Sequence, residues 1–172
     1  IVTSHYPHRG SSSQLTPKRV SLVRSMKLKE GLVMPRHPKA KYFLERGFFS
    51  KLSSFNELET RIAKIAHDDD INNPNNQKGD VFEVFCEAYL ATQTYIQAKH
   101  VWPLSEAPAN ILKERKITSI DKGVDGLFQT SNNEFHAYQA KYRGPRGQIH
   151  WGGDGGVSTF IGLSDHFDQR VL

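Results

Sequence analysis

Residues 123–143 read GVDGLFQTSNNEFHAYQAKYR, and this stretch decides the fold. Val124 to Thr130 has the apolar content of a strand, Ser131-Asn132-Asn133 supplies a tight turn, and Glu134 to Tyr142 returns as a second strand. Strand side chains alternate, so Phe135, Ala137, Gln139 and Lys141 are expected on one face and His136, Tyr138, Ala140 and Tyr142 on the other. A hairpin of this kind can set Asp125 across from Gln139, with Lys141 two residues further along the same face.

Helical patterns surround the hairpin. Phe82, Phe85, Cys86, Tyr89, Leu90 and Tyr95 or Ile96 recur at spacings of three and four, which predicts a long helix from about Asp80 to Lys99. Ser54 is placed to cap an earlier helix, Glu57 completes a capping-box pattern, and Phe55, Leu58, Ile62 and Ile65 form its apolar stripe. Tyr42, Phe43, Leu44, Phe48, Phe49 and Leu52 are apolar, and Gly47 is expected to break or end a first helix among them. The segment His67 to Lys78, with Asp68-Asp69-Asp70 and Asn72-Asn73-Pro74-Asn75-Asn76, reads as a solvated loop. Its adjacent carboxylates diverge, and the alternating ligand spacing of a calcium loop is missing. Further on, Val101 to Leu104 reads as a short strand ended by proline and Ala109 to Lys116 as a short helix. Gly144 to Gly156 is a glycine-rich loop, and Ser158 to about Phe167 is expected to be a helix. Arg170-Val171-Leu172 reads as the start of another strand. The expected class is α/β, a central mixed β-sheet flanked by helices.

Charge is unevenly spread. Residues 1 to 51 carry eleven basic residues against Glu30 and Glu45, a net of +9, whereas the remainder has twelve basic and sixteen acidic residues, a net of −4. Clustered Lys and Arg release counterions from phosphate backbones, so the charge suggests a polyanionic partner, with a solvated charged tail as the equal alternative. A basic N-terminal extension over residues 1–52 followed by a catalytic domain over 53–172 is the expected organisation, the whole being a piece of a longer chain. No apolar run approaches the roughly 18 to 20 residues of a membrane span, and no signal-peptide h-region is present. Cys86 is the only cysteine, which excludes an intramolecular disulfide and a cysteine-based zinc site. A reducing compartment, cytoplasm or nucleus, is compatible with that usage.

The polar residues that fall together are Glu83 on the long helix, Asp125 on the first hairpin strand, and Gln139 with Lys141 on the second. Phosphodiester hydrolysis needs a hard divalent ion held by oxygen ligands, and a cation beside the attacking water to stabilise developing negative charge. These residue types supply both.

Gly79-Asp80-Val81-Phe82-Glu83, then Asp121-Lys122-Gly123-Val124-Asp125-Gly126, then Gln139-Ala140-Lys141 resemble, in order, the three motifs of Mrr-like nucleases of the PD-(D/E)xK restriction-endonuclease superfamily. The likeness covers roughly residues 55 to 172. It is nearest to the nuclease domains that precede a helicase in type ISP restriction-modification enzymes and related proteins. The resemblance implies a restriction-endonuclease-like core, cleavage of DNA leaving a 5′-phosphate, and Mg2+ or Mn2+ as cofactor. It also implies a helicase region in the same longer chain. It assigns metal binding to Asp125, the Gln139 amide oxygen, the Ala140 carbonyl and Glu83, and the orientation or activation of water to Lys141. Gln139 stands where most of the superfamily carries Asp or Glu, which removes one negative charge from the site. The rival expectation is a catalytically silent nuclease fold used for DNA binding or assembly.

Other features carry less. Lys122, Arg143 and Arg146 are candidates for contacts to the DNA backbone, with His150 and Trp151 beside them. Asp121 is expected to serve the loop, and His136, on the opposite strand face, to be a packed or exposed histidine. Gly152-Gly153-Asp154-Gly155-Gly156 is not followed by Gly-Lys-Ser/Thr, and no Walker motif occurs, so ATP hydrolysis has no site here.

Overall fold

A computed structural model of the chain describes residues 34–65, 74–120, 123–144, 147–152 and 156–172. In chain order these form α1 (Ala40–Glu45), α2 (Phe55–Lys64), α3 (Pro74–Thr92) and β1 (Ala98–Pro103), then a 3-10 turn (Leu104–Glu106) and α4 (Ala109–Glu114). The hairpin strands β2 (Gly126–Thr130) and β3 (Phe135–Tyr138), α5 (Val157–Leu163) and β4 (Gln169–Val171) follow. The sheet is mixed, in the order β1-β2-β3-β4, with β1, β2 and β3 antiparallel and β4 parallel to β3 across the α5 connection.

Local chemistry sets most element ends. Ser54 Oγ accepts the Glu57 N–H at 3.2 Å, so α2 begins where the cap was expected. The Glu57 carboxylate reaches one residue further back than a capping box requires, accepting from Ser53 N at 2.8 Å and Ser53 Oγ at 2.6 Å. After α1 the backbone turns at Gly47, whose φ of +65° is the left-handed region that glycine enters without a Cβ penalty.

The long helix is displaced from its expected limits. It starts at Pro74, inside the segment read as loop, because proline suits a first helical turn whose N–H groups have no intrahelical acceptor. It ends at Thr92, whose hydroxyl donates back to the carbonyls of Ala88 and Tyr89, and Gln97 then adopts a left-handed φ of +54° before β1. Residues 98–103 pair with β2 instead of extending the helix. The acidic run Asp68-Asp69-Asp70 lies outside the described residues.

Sheet alternation separates two layers. Val101, Phe128 and Tyr138 pack with Leu90 of α3 on one side. Trp102, Leu127 and Ala137 pack with Ile111 and Leu112 of α4 and Phe160 of α5 on the other. Each fully buried Leu or Phe stabilises by roughly 2 kcal/mol, so these faces fix which side of the sheet each strand residue meets. A further core joins Val81, Val84, Phe85 and Cys86 of α3 to Leu58 and Ile62 of α2 and to Ala40, Phe43, Phe49 and Leu52. Residues 40–52 of the expected extension are therefore packed into the body, while residues 1–33 lie outside the described region. Burial pushes the Cys86 thiol up to about 12, which makes it a packing group and not a nucleophile. No helix among the described residues is long and apolar enough to cross a membrane.

Candidate functional site

The hairpin ladder stops earlier than alternation suggests, and its end is where the site forms. Asp125 N–H donates to Tyr138 O at 3.0 Å, and Gln139 N–H donates to Val171 O of β4 at 2.9 Å. One residue later the next N–H, that of Ala140, donates at 2.6 Å to Asp125 Oδ2, a side chain, in place of a neighbouring strand. The backbone then leaves the sheet, so β3 ends at Tyr138 and not at Tyr142. Gly126 allows this close approach, since a Cβ there would stand 2.3 Å from the Trp102 carbonyl and 2.4 Å from the Tyr138 ring.

A cleft of about 610 Å3 opens at this end of the sheet. Glu83 from α3, Asp125 before β2, and Ala140 and Lys141 after β3 all line it, together with Lys78, Gly79, Arg143 and Gly144. Three of the four residues expected to carry chemistry are thus brought to one cavity.

The fourth is not. Gln139 is 3 % exposed and is not among the lining residues; its Nε2 donates to the Gly123 carbonyl at 2.7 Å. The cause is strict alternation. Gln139 follows Ala137 onto the α4 and α5 side of the sheet, where Gly123 lies against Thr159 and Leu163, whereas Glu83 approaches from the α3 side. The amide braces the segment leading into Asp125 from beneath the cleft.

Two carboxylates, Glu83 and Asp125, share the cleft with Lys78, Lys141 and Arg143. Burial, then repulsion from Glu83, push the Asp125 carboxyl up to about 7, against the opposing pull of the Ala140 N–H and Lys141. Asp80, one turn before Glu83, is also raised, by burial first and Glu83 second. Among the described residues no cluster of three or more His, Cys, Asp or Glu side chains is arranged to hold a metal. The oxygen donors facing the cleft are two carboxylates, with Ala140 alongside them. That set fits a hard cation such as Mg2+, which takes one or two carboxylates and completes its shell with water and phosphate oxygens. It would also relieve the repulsion that raises Asp125.

Two residues with no expected role in the site adjoin it, His37 for want of ligand spacing and Glu87 as a surface charge one turn from Glu83. His37 Nε2 lies 3.2 Å from Glu83 Oε2, and Glu87, 3 % exposed, accepts the backbone N–H groups of Arg36 and His37 at 2.6 and 2.9 Å. Glu87 could have been found as the next turn of the Glu83 row. His37 carries no signal in spacing, since 46 residues separate it from its partner.

Of the backbone-contact candidates, Arg143 is exposed and lines the cleft, and Lys122 and Arg146 lie outside the described residues, as does Asp121. His136 is packed: it is 7 % exposed, stands edge-on to Phe128 at 4.8 Å, and has Nε2 3.3 Å from Glu134. Trp151 is exposed on the glycine-rich segment.

No family model matches the chain, and neither a curated protein nor a solved structure matches it. The structure shows a mixed α/β sheet flanked by helices, with carboxylates and lysines lining a cleft at one end of the hairpin.

Proposed function

We propose that this chain is a divalent-metal-dependent deoxyribonuclease domain, with the restriction-endonuclease-like core and Mrr-like motifs that its sequence resembles, working beside a helicase region of a longer protein. The observation that carries the reading is the meeting of Glu83, Asp125, Ala140 and Lys141 in one cleft from segments far apart in the chain. Each residue alone is commonplace, and their convergence is what phosphodiester chemistry needs.

Asp125 would be the principal ligand. Its Oδ2 is held by the Ala140 N–H, which fixes the carboxylate plane and leaves Oδ1 for a cation. Glu83 would bind from the facing helix and Ala140 through its carbonyl, while Gln139 acts beneath the site through Gly123. A bound Mg2+ or Mn2+ would polarise a phosphate oxygen and lower the pKa of a water. Lys141, on the cleft wall, would orient that water and offset charge developing on the phosphate. Lys78 and Arg143 at the cleft wall suit the flanking phosphates, contacts that position the strand without reading its sequence. Two carboxylates and a backbone carbonyl would hold a metal less tightly than three carboxylates.

A second reading, a silent nuclease fold used for DNA binding or assembly, is favoured by one observation, the commitment of Gln139 to Gly123. A plasmid-nicking assay in Mg2+ and in Mn2+ separates the two. The wild type is expected to cut, and Asp125→Ala and Lys141→Ala are expected to lose cleavage. A wild type that cuts no better than either substitution in both metals would sink the nuclease reading and leave the binding module.

A further inference from the structure

The segment before α1 is tied to α3 in a way that packing alone does not require. Arg36 and His37 donate consecutive backbone N–H groups to the two oxygens of Glu87, Oε1 at 2.6 Å and Oε2 at 2.9 Å. Two charge-assisted bonds to one buried carboxylate register this stretch of chain against the helix. The Arg36 guanidinium, 5.7 Å from the centre of the Trp102 ring, adds a second fastening. From that anchored backbone the His37 ring extends one helical turn toward the cleft and meets Glu83 Oε2 at 3.2 Å.

The ring itself is determined at both nitrogens. Lys39 N–H donates to His37 Nδ1 at 3.2 Å, so Nδ1 must present its lone pair. In the neutral imidazole the proton then sits on Nε2, which donates to Glu83. With a side chain only 10 % exposed and a bond at each nitrogen, the ring has little freedom.

We infer that His37 is the positioning residue of Glu83, holding one carboxylate oxygen so that the other faces the cleft toward Asp125. This rests on the metal-dependent reading of the site. Glu83 has three rotatable bonds and a partly exposed side chain, and without a restraint its carboxylate would sample orientations that point away from a cation shared with Asp125. Partners that orient a metal ligand in this way set affinity without touching the metal. The inference also gives the residues just before α1 a part in the chemistry.

The test uses the full chain and Mn2+ alone, with the free-ion electron paramagnetic resonance signal reporting binding and thermal unfolding run alongside. His37→Ala is expected to weaken Mn2+ binding about tenfold. His37→Gln, which presents an N–H donor at similar reach, is expected to restore it to within about twofold. Equal Mn2+ affinity in wild type and His37→Ala, or no rescue by Gln at an unchanged unfolding midpoint, overturns the inference while the nuclease reading stands. A wild type that binds no Mn2+ overturns both. Should His37→Ala unfold, the long-range 15N–1H spectrum of the wild type decides. An Nε2–H tautomer that shifts in Glu83→Gln supports the inference, and a His37 signal indifferent to that change overturns it.

Discussion

Glu83 and Glu87 occupy successive turns of α3, yet their surroundings make them different groups. Glu87 is buried beside Tyr138 and Ala88, with two backbone N–H groups filling its oxygens. Burial raises its pKa and those N–H bonds oppose the rise. Glu83, its side chain 30 % exposed, opens on the cleft, bonded to His37 and repelling Asp125. One carboxylate is filled by backbone and structural; the other faces a cleft that a ligand could enter. The lesson is that a four-residue repeat puts both groups on one helix face, whereas the elements laid over that face decide their roles.

Substitution should break this pair apart, most strongly at the open end. Glu83→Ala or Asp125→Ala is expected to cut plasmid nicking by on the order of 100-fold or more, Glu83→Ala with little change in unfolding by urea. Glu87→Ala should do the reverse. Two part-buried N–H groups lose their charged acceptor, and the unfolding free energy measured by urea should fall by about 2 kcal/mol. Nicking per folded molecule should then fall by no more than about tenfold.

Acidity sharpens the same contrast. Asp125 is raised in the folded chain to about 7 from an ordinary value of 3.8, so the folded state binds its proton more tightly than the unfolded state does. Stability from this group is present below the unfolded pKa and is lost as pH rises through about 7. In EDTA, the wild type should therefore lose stability between pH 5 and pH 8, by about 2 kcal/mol after allowing for partial solvent access. Asp125→Asn, which keeps an acceptor for the Ala140 N–H, should flatten that slope, and an equally steep slope in the variant would refute the assignment. The smallest effect expected lies far from the cleft. Ser54→Ala should cost about 1 kcal/mol through the α2 cap, with nicking unchanged.

Much of this architecture is legible in local patterns. The hairpin, the Ser54 cap, the Gly47 break and the buried face of α3 each follow from rules that act over a few residues. Limits set by competition were less legible. The extent of α3 depended on whether residues 93–103 served the helix or the sheet, and pairing with β2 took 98–103. The strand after the turn was expected to reach Tyr142, but Asp125 took the Ala140 N–H and ended it.

By itself, the sequence determined the α/β class, the hairpin, and the order in which Glu83, Asp125, Gln139 and Lys141 appear along it. Periodicity and turn chemistry are written residue by residue, so they survive without knowledge of the fold. Only the tertiary structure decided that Gln139 turns toward Gly123 and away from the cleft, that Glu87 is filled by a distant backbone, and that His37 reaches Glu83. Those contacts join residues 16 to 51 positions apart, and their partners are chosen by how layers pack, which no local spacing encodes.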